Sequence, residues 1–441
     1  MNFYTANLLT LCAINAFLLF RRYRHRRPQI TPISAARLET AQRFQRRFLA
    51  PYALAVAADW LQASLGPQRR YPDFRLTSGK QLPEDVVARL YATGFVSAAA
   101  SAMVAGRLVD SLGRRSACLF YCIFSGLACG LMLCSSMPLL VLGRVSGGIA
   151  TTLLFSAFES WMISEYHLLE LDDSVLSLKT VLENMALVNS AVAMISGVAG
   201  DALVEASGWR AAPFVAASLC CSIAAPLLLT SWRENTRGGP VVQGRWKDYR
   251  LGIVTIVKSK RFSALAIATC CFEGAMYLFV FFWTAALNSA RLQAGVEKEL
   301  PLGLIFSSFM CAMMAGSLIS TPVKAPSRQS ATTDLCLTMA IGSSSLSCAV
   351  LFDDERIVFW AFCVLEATVG AYFPIMGFLK SELVDDDRRG HVYSAVRLPL
   401  NLFVLVAHSL DEEGDKHRVR VFLTLAGLLV AASVVVKRGL T

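Results

Sequence analysis

Gly106-Arg107-Leu108-Val109-Asp110-Ser111-Leu112-Gly113-Arg114-Arg115 is the stretch on which the reading of this chain turns. It lies between two long apolar segments, one ending near Val104 and the next starting near Ala117. Two glycines are expected to bracket a tight turn here, because a residue without a Cβ accepts left-handed backbone angles. Asp110 is placed to accept hydrogen bonds from the free backbone N–H groups that open the following helix. The arginines mark the side of a membrane that stays cytoplasmic.

Working outward, the composition agrees with a membrane protein. Of 441 residues 55% are hydrophobic and 17% charged, where a soluble domain carries about 25% charged. Length alone would suggest two or three domains, but apolar runs of about 20 residues recur from end to end, each long enough to cross a bilayer as a helix. The expected fold is therefore all-α and polytopic. The formal net charge of +10 is sorted by side of the membrane, as shown below, and is not a nucleic-acid signature. The thirteen cysteines are scattered, mostly inside apolar runs, with no C-x-x-C pair and no histidine cluster beside them. They read as small packing residues, so no metal site, disulfide framework or cofactor is expected.

The first apolar run, Phe3 to Phe20, is followed by Arg21-Arg22-Tyr23-Arg24-His25-Arg26-Arg27. A cleavable leader carries its positive charge before the apolar run, so this one reads as an anchor helix with its start outside. The segment 21–47 holds nine arginines and one acid, Glu39, and reads as a cytoplasmic linker against anionic lipid. Twelve further spans are expected at 48–65, 86–105, 117–136, 139–163, 184–204, 210–231, 262–287, 301–320, 334–352, 357–379, 391–410 and 420–436. Between the sixth and seventh lies a polar stretch, Trp232 to Arg261, with eight Lys/Arg, two acids and the helix breaker Gly238-Gly239-Pro240. The domains follow: an anchor and basic linker (1–47), a six-helix half (48–231), a cytoplasmic linker (232–261) and a second six-helix half (262–441).

The orientation can be checked by charge. With the Gly106–Arg115 loop inside, inside segments hold 28 of the 42 Lys and Arg, and outside segments hold 11 when Arg210 and Arg420, at the outer ends of their spans, are counted with them. Arg89, Arg144 and Arg397 fall within spans. The excess of positive charge lies on the side the loop already chose.

A charge in mid-bilayer costs about 3 kcal/mol unless it is paired or wet, so charged residues inside spans are functional candidates. Asp59, Glu159, Glu273 and Glu366 are the acids; Arg144 and Arg397 are the bases. Glu159 lies close to the inner end of its span and reads equally as a gate or a cavity residue. Arg144 lies near an outer end, with Gly147 and Gly148 following it. Arg397 stands two residues before Pro399, where a helix loses a backbone hydrogen bond. The aromatic run Phe279–Trp283 reads as lipid-facing or core packing, and Trp60, Trp161 and Trp283 suit an interfacial belt.

These features resemble the major facilitator superfamily. The pattern G-x-x-x-D-x-x-G-R-R matches its loop between the second and third of twelve helices, on Gly106, Asp110, Gly113, Arg114 and Arg115, and Arg144-x-x-Gly147-Gly148 resembles its fourth-helix signature. The resemblance implies two six-helix bundles, here with one extra N-terminal helix, and a mid-membrane cavity lined by the helices that carry the four acids. At finer grain the chain resembles the eukaryotic molybdate-anion transporters. The matching stretches are Ala57–Gln62, Gly143-Arg144 with Leu154–Trp161, Ala212–Ala217, Phe272-Glu273 with Phe279–Thr284, Pro301–Met310, Glu366, Tyr372-Phe373-Pro374 and Arg397–Leu400. That likeness implies import of molybdate by alternating access at the plasma membrane, an internal membrane being the other location. A monomer in the lipid bilayer is expected, with the anion and protons as its small partners and no nucleic acid. A dianion suits guanidinium forks, so Arg397 and Arg144 are assigned to it and Asp59, Glu273 and Glu366 to protons. A carrier for another anion or an organic solute, and a non-transporting membrane sensor, remain as alternatives. No nucleophile–base, metal or nucleotide-binding pattern is present, so an enzyme is not expected; His167 and His391 read as loop residues.

Overall fold

The computed structural model describes residues 3–25, 35–63, 84–134, 136–171, 175–209, 211–235, 258–296, 300–320, 327–383, 399–400, 402–404, 406–407 and 414–440. Among them the regular elements are helices: α1 (Phe3–His25), α2 (Ala35–Ala63), α3 (Glu84–Leu112), α4 (Arg114–Leu131), α5 (Met137–Leu168), α6 (Leu178–Ser207), α7 (Ala212–Ser231), α8 (Lys260–Gln293), α9 (Leu302–Ser320), α10 (Arg328–Leu351), α11 (Glu355–Leu383) and α12 (Asp415–Leu440). Short helical pieces at 399–400, 402–404 and 406–407 lie before α12. Nine of the described helices are long and apolar enough to cross a membrane. The fold is all-α and multi-pass.

Local chemistry sets several boundaries. Ser177 and Ser327 cap α6 and α10, each side chain accepting a backbone N–H three residues on at 3.1 Å. Proline occupies the first turn of α5 and α7, where its missing N–H costs nothing. Gly208 closes α6 in the left-handed region, at φ 65°.

Three expectations change. The basic segment 21–47 is helical at both ends, since α1 runs to His25 and α2 begins at Ala35. The turn at the opening stretch is tighter than expected: α3 continues through Gly106 and Asp110 to Leu112, and the break falls at Gly113 alone, at φ 93°. Val109, 3% exposed, extends the buried face of α3, which carries the helix past Gly106. Two of the three tryptophans expected in an interfacial belt are interior, and Trp60 is half-buried. Trp161 and Trp283 are 2% and 4% exposed, and Trp60 donates to the Asn189 side chain at 2.9 Å. Of the run 279–283, Val280 is the residue left exposed.

Packing falls into two sets. In the first, α2 lies on α6 and α7, α4 on α5 and α7, and α3 on α5; in the second, α8 lies on α11 and α12, α9 on α11, and α10 on α11 and α12. The sets meet where α6 crosses α9, and α1 lies on α9 beside that crossing. The crossing is a glycine-to-glycine contact: a Cβ at Gly303 would fall on the carbonyl oxygen of Gly197. Gly303 N–H donates to Asp201 Oδ2 at 2.6 Å and Ser307 Oγ donates to the Met194 carbonyl at 2.7 Å. A second junction is aromatic, Tyr91 on Phe281 at 5.6 Å and Phe95 on Tyr277 at 5.0 Å between ring centres.

Gly303→Val should therefore separate α6 from α9 and destabilise the protein by about 1–3 kcal/mol, the usual cost of overpacking. Gly126→Ala, where an added Cβ meets nothing within 4 Å, should leave the thermal midpoint in detergent unchanged or raised. Equal midpoints for Gly303→Val and the parent chain would mean that the two helices do not cross this closely.

Candidate functional site

The start of α4 is held by a residue from the far end of the first helix set. Glu234, just beyond α7, accepts the backbone N–H of Arg115 at 2.9 Å, that of Ser116 at 3.1 Å and the Ser116 hydroxyl at 2.7 Å. Its Oε2 also lies 3.7 Å from Arg115 Nε. A carboxylate over a helix N-terminus satisfies orphan donors and the helix dipole together. The sequence had given this acceptor role to Asp110, whose side chain lies outside the described residues. The clasp is possible because Gly113 has no side chain: a Cβ there would overlap the Glu234 carboxylate.

Glu234 is set in place by tryptophans. Trp161 stacks on Trp232 at 3.7 Å between centres. Trp161 Nε1 donates to the Arg233 carbonyl and Trp232 Nε1 to the Arg47 carbonyl, at 2.9 and 2.8 Å. Beside this clasp, at the loop end of the first set, lies a cavity of about 940 Å³ lined by Arg114, Ser156, Glu159, Ser160, Ile163, Ser164, His167, Leu168, Glu234 and Asn235. Asn235 is 6% exposed, and neither end of its amide has a hydrogen-bond partner among the described residues. α5 runs five residues past the expected span end at Ile163 to Leu168, so Glu159 lies within the helix, about 13 Å from its end at 1.5 Å per residue. His167, expected in a loop, is in the last turn of the same helix.

Arg144 lies on α5 about 10 Å from the opposite end. Its guanidinium stands 5.0 Å above the Tyr91 ring, and Nε points to the Leu90 carbonyl at 3.4 Å. It makes no ion pair among the described residues. Tyr91 is the ring that meets Phe281 of the second set, so this guanidinium sits beside the junction between the sets.

The second set holds two acids. Glu273 on α8 accepts the Tyr372 hydroxyl at 3.1 Å; Tyr372 is fully buried and stacks on Phe272 at 4.3 Å. Glu366 on α11 is 4% exposed and makes no hydrogen bond or ion pair among the described residues. One turn away, Phe362 packs against Phe279 and Phe309. Asp59 on α2 is part-buried and lies within electrostatic reach of Tyr52, Tyr121 and Cys221. Arg397 and His391 lie outside the described residues. The five charged candidates among the described residues are thus spread: Glu159 at the loop-end cavity, Asp59 inside the first set, Arg144 at the junction, and Glu273 and Glu366 inside the second set. Glu234, Tyr91 and Tyr372 were not singled out from sequence, although Tyr372 lies in a stretch that carried the family likeness.

Comparison with known proteins can now be added. Residues 3–353 match the profile of a family described as sugar transporters with 12 TM segments. Curated relatives named molybdate-anion transporter share 30% identity in Danio rerio, over 89% of this chain and 86% of theirs, and 29% in Xenopus tropicalis, over 97% and 92%. The one in Takifugu rubripes shares 30%, over 91% and 85%. This chain belongs to the molybdate-anion transporter family, within the major facilitator superfamily. A solved structure of a mutant of the nucleoside transporter NupG superposes with a TM-score of 0.69 at 13% identity, over 90% of this chain and all of that one, which shows the fold. Like the rest of its family the chain is a membrane transporter and not an enzyme.

Glu234→Ala removes three hydrogen bonds and one ion pair from the start of α4. With partial solvent screening the cost should be about 1–3 kcal/mol. Glu234→Gln should cost less, because one acceptor oxygen remains. Thermal unfolding in detergent reads both, and an unchanged midpoint for the alanine variant would remove the clasp.

Proposed function

We propose that this transporter imports molybdate across the plasma membrane as a monomer, by alternating access and together with protons. The observation that carries the reading is Arg144. It is a guanidinium in a membrane-spanning helix, laid on an aromatic ring beside the junction of the two helix sets, with no carboxylate paired to it among the described residues. A cation in that position is suited to an anionic ligand, and its fork matches two oxygens of a tetrahedral oxyanion. The printed name of the curated relatives supports molybdate as that anion.

Moving two negative charges inward against 100 mV costs about 4.6 kcal/mol, at about 2.3 per charge, so uptake needs a co-transported cation. Glu366, enclosed and without a hydrogen bond among the described residues, is suited to carry a proton in one half of the cycle and release it in the other. Glu273 and Asp59 serve the same coupling, Glu273 with its proton state tied to the Tyr372 hydroxyl. Arg397 supplies the second guanidinium. Glu159 stands at the loop-end cavity, where the anion leaves for the cytoplasm.

Uptake at trace external molybdate tests the assignment. Arg144→Lys keeps the charge and loses the fork, and KM should rise about tenfold or more, the size of one lost charge-assisted hydrogen bond. Normal KM in both Arg144→Lys and Arg144→Ala would take Arg144 out of the site. Glu366→Gln fixes a neutral side chain: exchange of internal for external molybdate should survive while proton-driven accumulation is lost. Accumulation that still follows the proton gradient in that variant would remove Glu366 from coupling.

A further inference from the structure

The twelve-helix layout does not call for α1, yet α1 is tied across the junction of the two sets. Three contacts fix it to the second set. The Tyr4 hydroxyl bonds the Glu355 carboxylate, which lies 3.5 Å from Arg291 on α8. The rings of Phe3 and Tyr4 meet Phe359 edge-on at 5.6 and 5.1 Å. Halfway along, Asn15 Nδ2 donates to the Cys311 carbonyl of α9 at 2.8 Å, and this side chain is buried. Toward the first set, among the described residues, Arg22 Nη2 bonds Glu183 Oε1 of α6 at 2.7 Å, with the two side chains 26% and 16% exposed.

The position of that pair gives it its meaning. The described ties between α6 and α9 involve residues 194–201 and 303–311. Glu183 lies eleven residues before Met194, about 16 Å nearer the loop end at 1.5 Å per residue. At the depth of Glu183, Arg22 of α1 reaches the first set while the rest of α1 stays on the second. We propose that α1 is a strap over the α6–α9 junction and that Arg22–Glu183 is its latch, closed in this conformation and released when the loop ends of the two sets shift. Because α1 is held at three points on the second set, movement of α6 against α9 is taken up at this contact to α6. A pair held by a few ångströms of ionic contact can break and reform, while packed helix faces move as rigid bodies. The proposal rests on the alternating-access reading above and is independent of which solute is carried.

Two readouts test it together. In uptake, Arg22→Glu and Glu183→Arg should each lower the maximal rate by about fivefold or more, the scale of a coupling between conformations, with KM little changed. The double exchange, Arg22→Glu with Glu183→Arg, should recover most of the rate. In membranes, Arg22→Cys with Glu183→Cys should be bridged by a bifunctional methanethiosulfonate reagent whose spacer replaces the reach of the two lost side chains, above the background of the parent chain, and the cross-link should stop flux until it is reduced. Single reversals that run at the parent rate, or a double exchange no faster than the singles, would overturn the latch. So would absence of the cross-link, or a cross-linked protein that transports normally. Thermal midpoints of the single reversals should fall and should recover in the double exchange; a midpoint that falls with the rate and is not recovered in the double exchange would also overturn it. A cross-link formed in a protein with no molybdate flux would uphold the contact and overturn the proposed substrate instead.

Discussion

Hydrocarbon cannot solvate a charge, and the arrangement of this protein follows from how few charges it admits and what it places against them. An ionised side chain in mid-bilayer costs about 3 kcal/mol unless something replaces water. For Arg144 the replacement is the face of Tyr91 and for Glu273 the hydroxyl of Tyr372, while Glu366, enclosed by the second helix set, has no such replacement among the described residues. Two of the supports are tyrosines, whose rings pack like phenylalanine and whose hydroxyl or π-face still answers a polar group. Tyr91 has a second task, since its ring also meets Phe281 across the junction. A change at the guanidinium is therefore felt at the contact between the two sets.

The junction has a direction. The polar ties of α6 to α9 and the aromatic contacts of α3 with α8 lie away from the Gly106–Arg115 loop, while the cavity at Glu159 lies at the loop end. Helix sets joined at one end can rock about that joint, which is the motion a carrier needs. α1 adds a tie across the same junction nearer the loop end, and Glu234 fixes the start of α4 beside the cavity. Both devices act through charges outside the deepest part of the helices, where bonds can exchange with water during movement.

Much of this was legible in the sequence. Apolar runs located most of the described helices, and the residues around Arg144, Glu273 and Tyr372 carried the family likeness. What was missed depends on long-range contact. Glu234 reads as one more charge in a polar linker, and nothing near it in sequence says that it reaches Arg115 and Ser116. Arg22 reads as one of a run of arginines at a membrane edge, with its partner Glu183 161 positions away. Trp161 and Trp283 fit an interfacial belt by position, and tertiary packing drew them inside. The end of α3 was placed too early because Gly106 was read as a breaker, whereas Leu108, Val109 and Leu112 continue the helix to Gly113.

The central claim is that buried carboxylates let a dianion enter against the membrane potential. The most direct measurement is labelled molybdate entering sealed vesicles that contain only this protein, with proton gradient and potential imposed separately. The account predicts accumulation above equilibrium when the side from which molybdate enters is acidic, and collapse of that accumulation on adding a protonophore. Accumulation indifferent to the proton gradient, or protein that binds molybdate in these vesicles without moving it, would contradict it.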